Sequence, residues 1–462
     1  MIQHTDIYKR LYFIGFMAYA IFFVFAILFY KERIIFLDSA FILFNVIRQG
    51  TFAIFHFRYI EALSEIFPLL ASKANCSLSI CATLYSLSYV IVYILGYLIC
   101  GLGFKKYDFA LIILLVNSLM ISDTFYYTVS ELNFAIVLLI LLLAWLSKKT
   151  NLNVFTILIA FAVLTFILSS HPLVLFPFVY VVVYFFIKRE NIIVPPIVKM
   201  LPVLLLAAIG FKYLFLRDIY EANTFSVLNN FQQFFPHYLN LPSNKFFLSN
   251  CTTIYYWLPV LLLAITGVYI VKRRWLALLL FYAFCFGYVL MVNVSFPIAT
   301  YTPIYTYESW YMPLSFFIAL PLVFDVLPFI KSKLIVQGIV IGILFTCCIR
   351  VYKRHHTYTN RLNYLRQIVA TYGDKKTIID ENRLDMQYVQ MSWALCYEVC
   401  LLSEIEKGKS ASIVADNANN NLSWAANKNK TFVATFGNFT YPELNARYFH
   451  LNDTLSIYRL IR

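Results

Sequence analysis

The feature that most restricts this chain is a series of apolar runs, each close to the ~20 residues an α-helix needs to cross bilayer hydrocarbon, repeated through almost the whole of residues 11–350. Their boundaries fall near 11–30, 77–103, 108–121, 132–147, 153–169, 172–187, 196–216, 253–271, 275–292, 311–330 and 334–350. With 61% hydrophobic and only 13% charged residues, and a mean hydropathy of +0.74, a water-soluble globule is excluded. The expectation is an α-helical polytopic membrane protein with about eleven transmembrane helices. Lys9 and Arg10 precede a full-length run with no small-residue cleavage site after it, so the first segment is expected to stay as a signal anchor.

The loops between these runs divide into two sets. One set carries Lys9 and Arg10, Lys105 and Lys106, Lys148 and Lys149, Lys188 and Arg189, Lys272 to Arg274, and Lys331 with Lys333. The short loops of the other set, 122–131, 170–171 and 293–310, contain no Lys or Arg. Positive charge marks the cytoplasmic side, so the reading puts the N-terminus in the cytoplasm and the second set outside. An odd number of spans then places the tail outside as well. The net charge of +14 is accounted for by this topology signal rather than by nucleic acid as a partner. Nine cysteines show no metal-ligand spacing.

Residues capable of chemistry gather in the outer loops. The first, 31–76, is amphipathic and expected to form two short helices on the membrane surface, Phe-rich faces in lipid and Asp38, Arg48, Arg58, Glu61 and Glu65 toward a cavity. Asp38 is either a helix N-cap or a general base. Asp123 and Glu131 flank the second outer turn; as a pair in an aromatic cleft they could divide base and stabiliser roles or hold a divalent cation, the one cofactor the sequence suggests. His171 stands in the tight SSHP hairpin, as a turn residue or as a ligand. Arg48, Arg58 and Arg217 either snorkel to headgroups or clamp a phosphate. The loop 217–252 adds His237. The loop ending in TYTPIYTYESWYMP adds Glu308 and the aromatic group Tyr301, Tyr305, Tyr307, Trp310 and Tyr311, where Tyr307 could help to bind a saccharide. There is no P-loop, GxGxxG, CxxC or HExxH.

Past residue 350 the pattern changes. VYKRHHTYTNRLNYLRQIVATYG reads as an amphipathic helix, KKTIID, SASIVAD, KTFVATF and LSIYRLIR as strands, and MQYVQMSWALCYEVCLLSEIEKG as helix. The expected division is a transmembrane module, 1–350, and a small extracytoplasmic α/β domain, 351–462, with its own core and an exposed Asn-rich loop.

This layout resembles the GT-C superfamily of membrane glycosyltransferases, which take a sugar from a polyprenyl-phosphate carrier. The resemblance rests on the cytoplasmic N-terminus, the number of spans, Asp38 soon after the first span, the Asp123/Glu131 loop, the 217–252 loop after the seventh span, ESWYMPLSFFIALPL at the start of a late span, and the outer tail. It implies that Asp38 activates the acceptor, that first-loop arginines lie near the carrier phosphate, and that displacement inverts the anomeric centre. It implies a polyprenyl-phosphate-linked sugar donor, a glycan, lipid or protein acceptor, and a bacterial inner membrane with the C-terminal domain in the periplasm. Other readings compete: a transporter, against which the spans offer almost no mid-membrane ionisable residues; an O-antigen-type polymerase or ligase; and a non-catalytic envelope assembly protein.

Overall fold

A computed structural model describes residues 2–129, 131–188, 192–216, 218–297, 304–416, 422, 425–426, 428 and 430–461. Helix α1 (Ile2–Leu28) is followed by a long first loop, which holds α2 (Tyr30–Ile34), α3 (Leu37–Gln49) and α4 (Ala62–Lys73). Then come α5 (Leu78–Leu98), α6 (Tyr107–Leu119), α7 (Glu131–Leu146), α8 (Val154–Ser170), α9 (Leu175–Ile187) and α10 (Pro195–Phe215). The loop after α10 carries the short α11 (Ile219–Thr224), α12 (Asn230–Gln233) and α13 (Pro242–Thr253); α14 (Trp257–Val271), α15 (Trp275–Ser295), α16 (Ile304–Pro321) and α17 (Lys333–Tyr372) complete the bundle.

Each of the eleven apolar runs is helical. Six helices are long and apolar enough to cross a membrane, or seven if α13 and α14, which meet at 85°, form one broken span. The others, α6 to α9 among them, are shorter. Their place explains their length and composition: residues Phe109–Leu119 of α6 are all buried, so this helix is apolar on nearly every face because protein surrounds it.

The basic turns are less plain than their sequences suggest. The Asp325 carboxylate, in the π-helical segment Leu322–Val326 after α16, binds Lys188 at 2.9 Å and Arg274 at 2.8 Å. Tyr184 and Tyr269 hydroxyls donate to it at 2.6 and 2.9 Å. With two cations and two hydroxyls on one buried carboxylate, the group is satisfied and ties the ends of α9, α14, α15 and α16 together.

At its C-terminal end α17 runs on past residue 350, as its amphipathic pattern predicts, and one face of the extension does most of the joining. The Arg350 guanidinium donates to the carbonyls of Ser118 and Ile121 at 2.9 Å, Leu119 at 3.3 Å and Ile254 at 2.9 Å. Those around the end of α6 are the acceptors a helix C-terminus leaves unpaired, and a cation suits that end of the dipole. Four residues on, Arg354 binds Asp123 at 2.6 Å. Tyr358 donates to the same oxygen at 3.1 Å and stacks on Tyr126 at 4.5 Å. Arg361 binds Glu398 at 2.5 Å and the Ile35 carbonyl at 2.7 Å. Spacings of four, four and three keep all four on one helical face.

The C-terminal region contains strands β1 (Thr377–Asp380), β2 (Ile413–Asp416), β3 (Thr431–Ala434), β4 (Gly437–Thr440) and β5 (Arg459–Ile461), with α18 (Met386–Val389) and α19 (Leu395–Lys407) between β1 and β2. The order β2-β1-β5 is parallel on both sides, Ile378 lying opposite Val414 and Leu460; β3 and β4 form an antiparallel hairpin. Parallel pairing needs a crossover, which α19 supplies. Four of these strands lie where the sequence predicts them; the Asn-rich loop falls mostly outside the described residues.

The core of this region is shared. Phe44 of α3 packs on Phe432, Phe449 and Tyr397 with ring centres 5.0–5.5 Å apart, and Phe41 on Tyr397 at 5.1 Å. Ile42, Leu43, Val46 and Ile47 are buried with them. The apolar face of α3, expected in lipid, is thus covered by the C-terminal sheet region. The amphipathic α4 keeps Ile66 and Leu70, one turn apart, on the outside. At the end of α3 the chain turns through Gly50 at φ +65°, a conformation that favours glycine.

The Arg361–Glu398 pair gives a direct test. Removing either partner leaves a buried charge uncompensated, which costs about 3–5 kcal/mol. Arg361→Met or Glu398→Leu alone is expected to lower the thermal unfolding midpoint in detergent, and the double variant to recover most of the loss.

Candidate functional site

The first turn of α3 is set in place from two sides. Leu37, immediately before Asp38, has φ +43°, unusual for a branched residue, and its N–H donates to Glu398 at 2.7 Å. On the other side Ser39 Oγ accepts from the Thr128 N–H at 3.3 Å and pairs with the Thr128 hydroxyl at 2.8 Å. Asp38 therefore cannot drift. The N-cap position belongs to Phe36, so Asp38 lies within the first turn and does not cap the helix. Its Oδ2 accepts one hydrogen bond, from the Tyr127 hydroxyl at 2.6 Å. Burial raises its pKa above the usual carboxylate range, against the pull of the Tyr127 hydrogen bond, and the Glu131 charge raises it further.

Glu131, the first residue of α7, meets Arg58 at 2.6 Å. Arg58 precedes the 3₁₀ turn Tyr59–Glu61, and the buried Glu61 carboxyl shares a hydrogen bond with Glu131. Burial, then the neighbouring Glu131, pushes the Glu61 pKa well above the usual carboxylate range. His171 is part of the same group. Its Nδ1 accepts from the Leu173 N–H at 3.1 Å, leaving Nε2 as the protonated nitrogen of a neutral ring. Burial brings its pKa down to about 4; the Arg58 and Lys212 charges act in the same direction and Glu131 opposes them.

The loop after α10 closes over this cluster. Lys212 binds Glu221 at 2.8 Å and the Leu168 carbonyl at 3.0 Å; His56 meets Asp218 at 2.8 Å and stacks on Tyr220 at 4.3 Å, whose ring lies 5.8 Å from the Arg58 guanidinium. Tyr305 packs on Tyr127 at 4.6 Å and on Phe36 at 5.0 Å, walling the Asp38 side.

Of the expected site residues, Asp38, Glu131, Arg58 and His171 come together. The others have different places. Asp123 is buried against Arg354 and Tyr358, with Oδ2 unbonded but sealed from the surface. Glu308 is fully buried: it accepts from the N–H groups of Ser122, Asp123 and Thr124 at 2.7–3.2 Å, the Thr124 hydroxyl at 2.5 Å and Tyr255 at 3.3 Å. It fixes the turn at Ser122–Thr124. Arg48, ten residues along α3 and so about 15 Å from Asp38, bonds Asn45 at 3.1 Å and lies 4.3 Å from the Phe439 ring of the β3–β4 hairpin. Tyr307 is buried, donating to the Phe296 carbonyl at 2.6 Å beside Phe246. His237 is exposed elsewhere on the 217–252 loop. Arg217 and Tyr301 lie outside the described residues. Among the described residues no three His, Cys, Asp or Glu side chains are grouped to hold a metal ion. Sequence reading missed Tyr127, although it stands in the same TFYYTVSEL stretch as Glu131, and missed the pairing of Glu61 with Glu131.

No family model, curated protein or solved structure matches the chain at a significant level.

Glu65, one turn of α4 beyond Glu61, accepts from the Ala53 N–H at 2.6 Å, and burial raises its pKa to about 7. Between its ordinary value of 4.5 and 7 the folded protein holds a proton that the unfolded chain has released, so Glu65 lowers stability as pH rises through that window, by at most ~1.4 kcal/mol per pH unit, and no further above it. Glu65→Gln is expected to raise the unfolding midpoint at pH 8 relative to the parent protein and to narrow the difference at pH 5.

Proposed function

We propose that this chain is a membrane glycosyltransferase of the GT-C type, with eleven spans, the N-terminus in the cytoplasm and the 351–462 region in the periplasm of a bacterial inner membrane. It moves a sugar from a polyprenyl-phosphate carrier to a glycan, lipid or protein acceptor on the outer face. The observation that supports this reading is the meeting of Asp38 and Glu131, from the first and second outer loops, in one polar cluster with Arg58 and His171.

Asp38 is the base. Its raised pKa suits it to take a proton from an acceptor hydroxyl or amine, since a better match between base and acceptor lowers the cost of the transfer. As the acceptor atom forms its bond to the anomeric carbon, the bond from that carbon to the carrier phosphate oxygen breaks, the electron pair leaves with the phosphate, and the acceptor proton ends on Asp38. A phosphate leaving group needs little acid assistance, and a single displacement inverts the anomeric centre. Tyr127 orients the Asp38 carboxylate.

Transfer of radiolabel from a polyprenyl-phospho-sugar in membranes tests this. Asp38→Asn is expected to reduce transfer by about 10²–10⁴-fold, the usual worth of a positioned base. Asp123→Asn is expected to lower the amount of folded protein but not transfer per folded molecule. Equal transfer by the parent protein and Asp38→Asn, or solute uptake into proteoliposomes with no transfer at all, would overturn the assignment.

A further inference from the structure

Many cations of the basic turns are spent on the protein itself. Lys188 and Arg274 bind Asp325, Lys106 donates to the Ser147 carbonyl at 3.4 Å, and Lys148 and Lys149 lie over the rings of Phe104 and Trp145. Lys9, Arg10 and Lys333 are different. They are exposed, and among the described residues no ion pair or hydrogen bond engages any of the three side chains. Yet they converge. The starts of α1 and α17, distant in sequence but packed on one another, enclose a cavity of about 280 Å³ lined by these three together with Asp6, Phe13 and Gln337. Charge that only sets topology has to lie at this end of the helices; it does not have to surround one hollow.

The lining restricts what the cavity can take. Three cations against one carboxylate favour an anion, and the N-terminal end of α17 adds its partial positive charge at the same place. The wall is not polar throughout. Phe13 is largely exposed, and on the same face of α1 the exposed Met17 and Val24 carry an apolar stripe away from the cations. A free anion uses the charge alone, whereas an amphiphile with an anionic head and an acyl chain uses both. Small-molecule pockets run from ~300 to 1,000 Å³, so this one takes a headgroup, and acyl chains must leave along the helices. A zwitterionic head would bring its own ammonium among three cations, with one carboxylate to meet it. The balance selects a head without a cation.

We propose that this cavity seats the headgroup of an anionic phospholipid, its phosphate against Lys9, Arg10 and Lys333 and one acyl chain along the Phe13–Met17 stripe of α1. Basic hollows between membrane helices are suited to such heads. The site is separate from the Asp38 cluster.

Equilibrium binding tests it. Purified full-length protein in detergent is titrated with radiolabelled phosphatidylglycerol, phosphatidylcholine of the same acyl chains, and glycerol 3-phosphate. Replacing Lys9, Arg10 and Lys333 together by Gln is expected to weaken phosphatidylglycerol on the order of 10²-fold, about fivefold for each cation, and to leave phosphatidylcholine unchanged. Replacing Lys105, Lys148 and Lys149 by Gln removes the same charge from other basic turns and is expected to stay within about threefold of the parent protein. Asp6→Asn is expected to tighten phosphatidylglycerol about twofold or more. Because the three cations are exposed, their removal is expected to leave the thermal unfolding midpoint without lipid unchanged, and Lys333→Gln alone to show its fivefold share. Equal weakening by the two triple variants assigns the attraction to a diffuse field and overturns the proposal, as does equal affinity of the parent protein for the two lipids. Glycerol 3-phosphate bound as tightly as phosphatidylglycerol overturns the lipid assignment in favour of a soluble phosphate ester. None of these outcomes depends on the glycosyltransferase reading, which Asp38→Asn tests separately.

Discussion

The C-terminal extension of α17 is the part on which the rest of this end of the structure depends. A helix end buried in a bundle leaves carbonyls unpaired, and Arg350 answers those around the end of α6 with one guanidinium. Further along, Arg354 and Tyr358 hold the turn between α6 and α7 through Asp123, and beyond them Arg361 holds the chain entering α3. The four side chains need only a continuous helix to keep them in register. The helix is long because those three attachments lie at successive heights along it.

The same chain of contacts carries position to Asp38. One oxygen of Glu398, Oε1, binds the Arg361 guanidinium and also accepts the Leu37 N–H. Leu37 is held at positive φ, a conformation that persists only where surrounding contacts over-determine it. Here they are the Glu398 hydrogen bond, the Arg361 bond to Ile35 and the burial of the α3 apolar face against the C-terminal sheet region. The C-terminal region is thus a support for the loop between α1 and α5, and a change in its core is transmitted to the placement of one carboxylate.

How far the sequence discloses this differs by level. The apolar runs, the amphipathic continuation of α17 and four of the strands were legible because they rest on local periodicity. The destination of the α3 apolar face was not. An amphipathic helix near a membrane offers the same stripe to lipid or to a sheet, and what decides between them is a set of Phe and Tyr residues more than 350 positions away. The acids divide in the same manner. Asp38, Asp123, Glu131 and Glu308 are alike as outer-loop carboxylates, yet Asp123 is claimed by an arginine 231 residues on, a pairing that no spacing rule reaches.

Counting donors separates these carboxylates by what they are free to do. A carboxylate offers about four acceptor sites. Glu308 receives three N–H groups and two hydroxyls and has nothing left for a ligand. Asp123 has a cation and a hydroxyl on one oxygen, and its other oxygen faces no opening. Asp38 receives a single side-chain donor, from Tyr127, and is only partly buried. It is held firmly by its backbone and lightly by its carboxylate. A general base requires that combination: rigid placement of the group, with lone pairs left over for the proton it is to take.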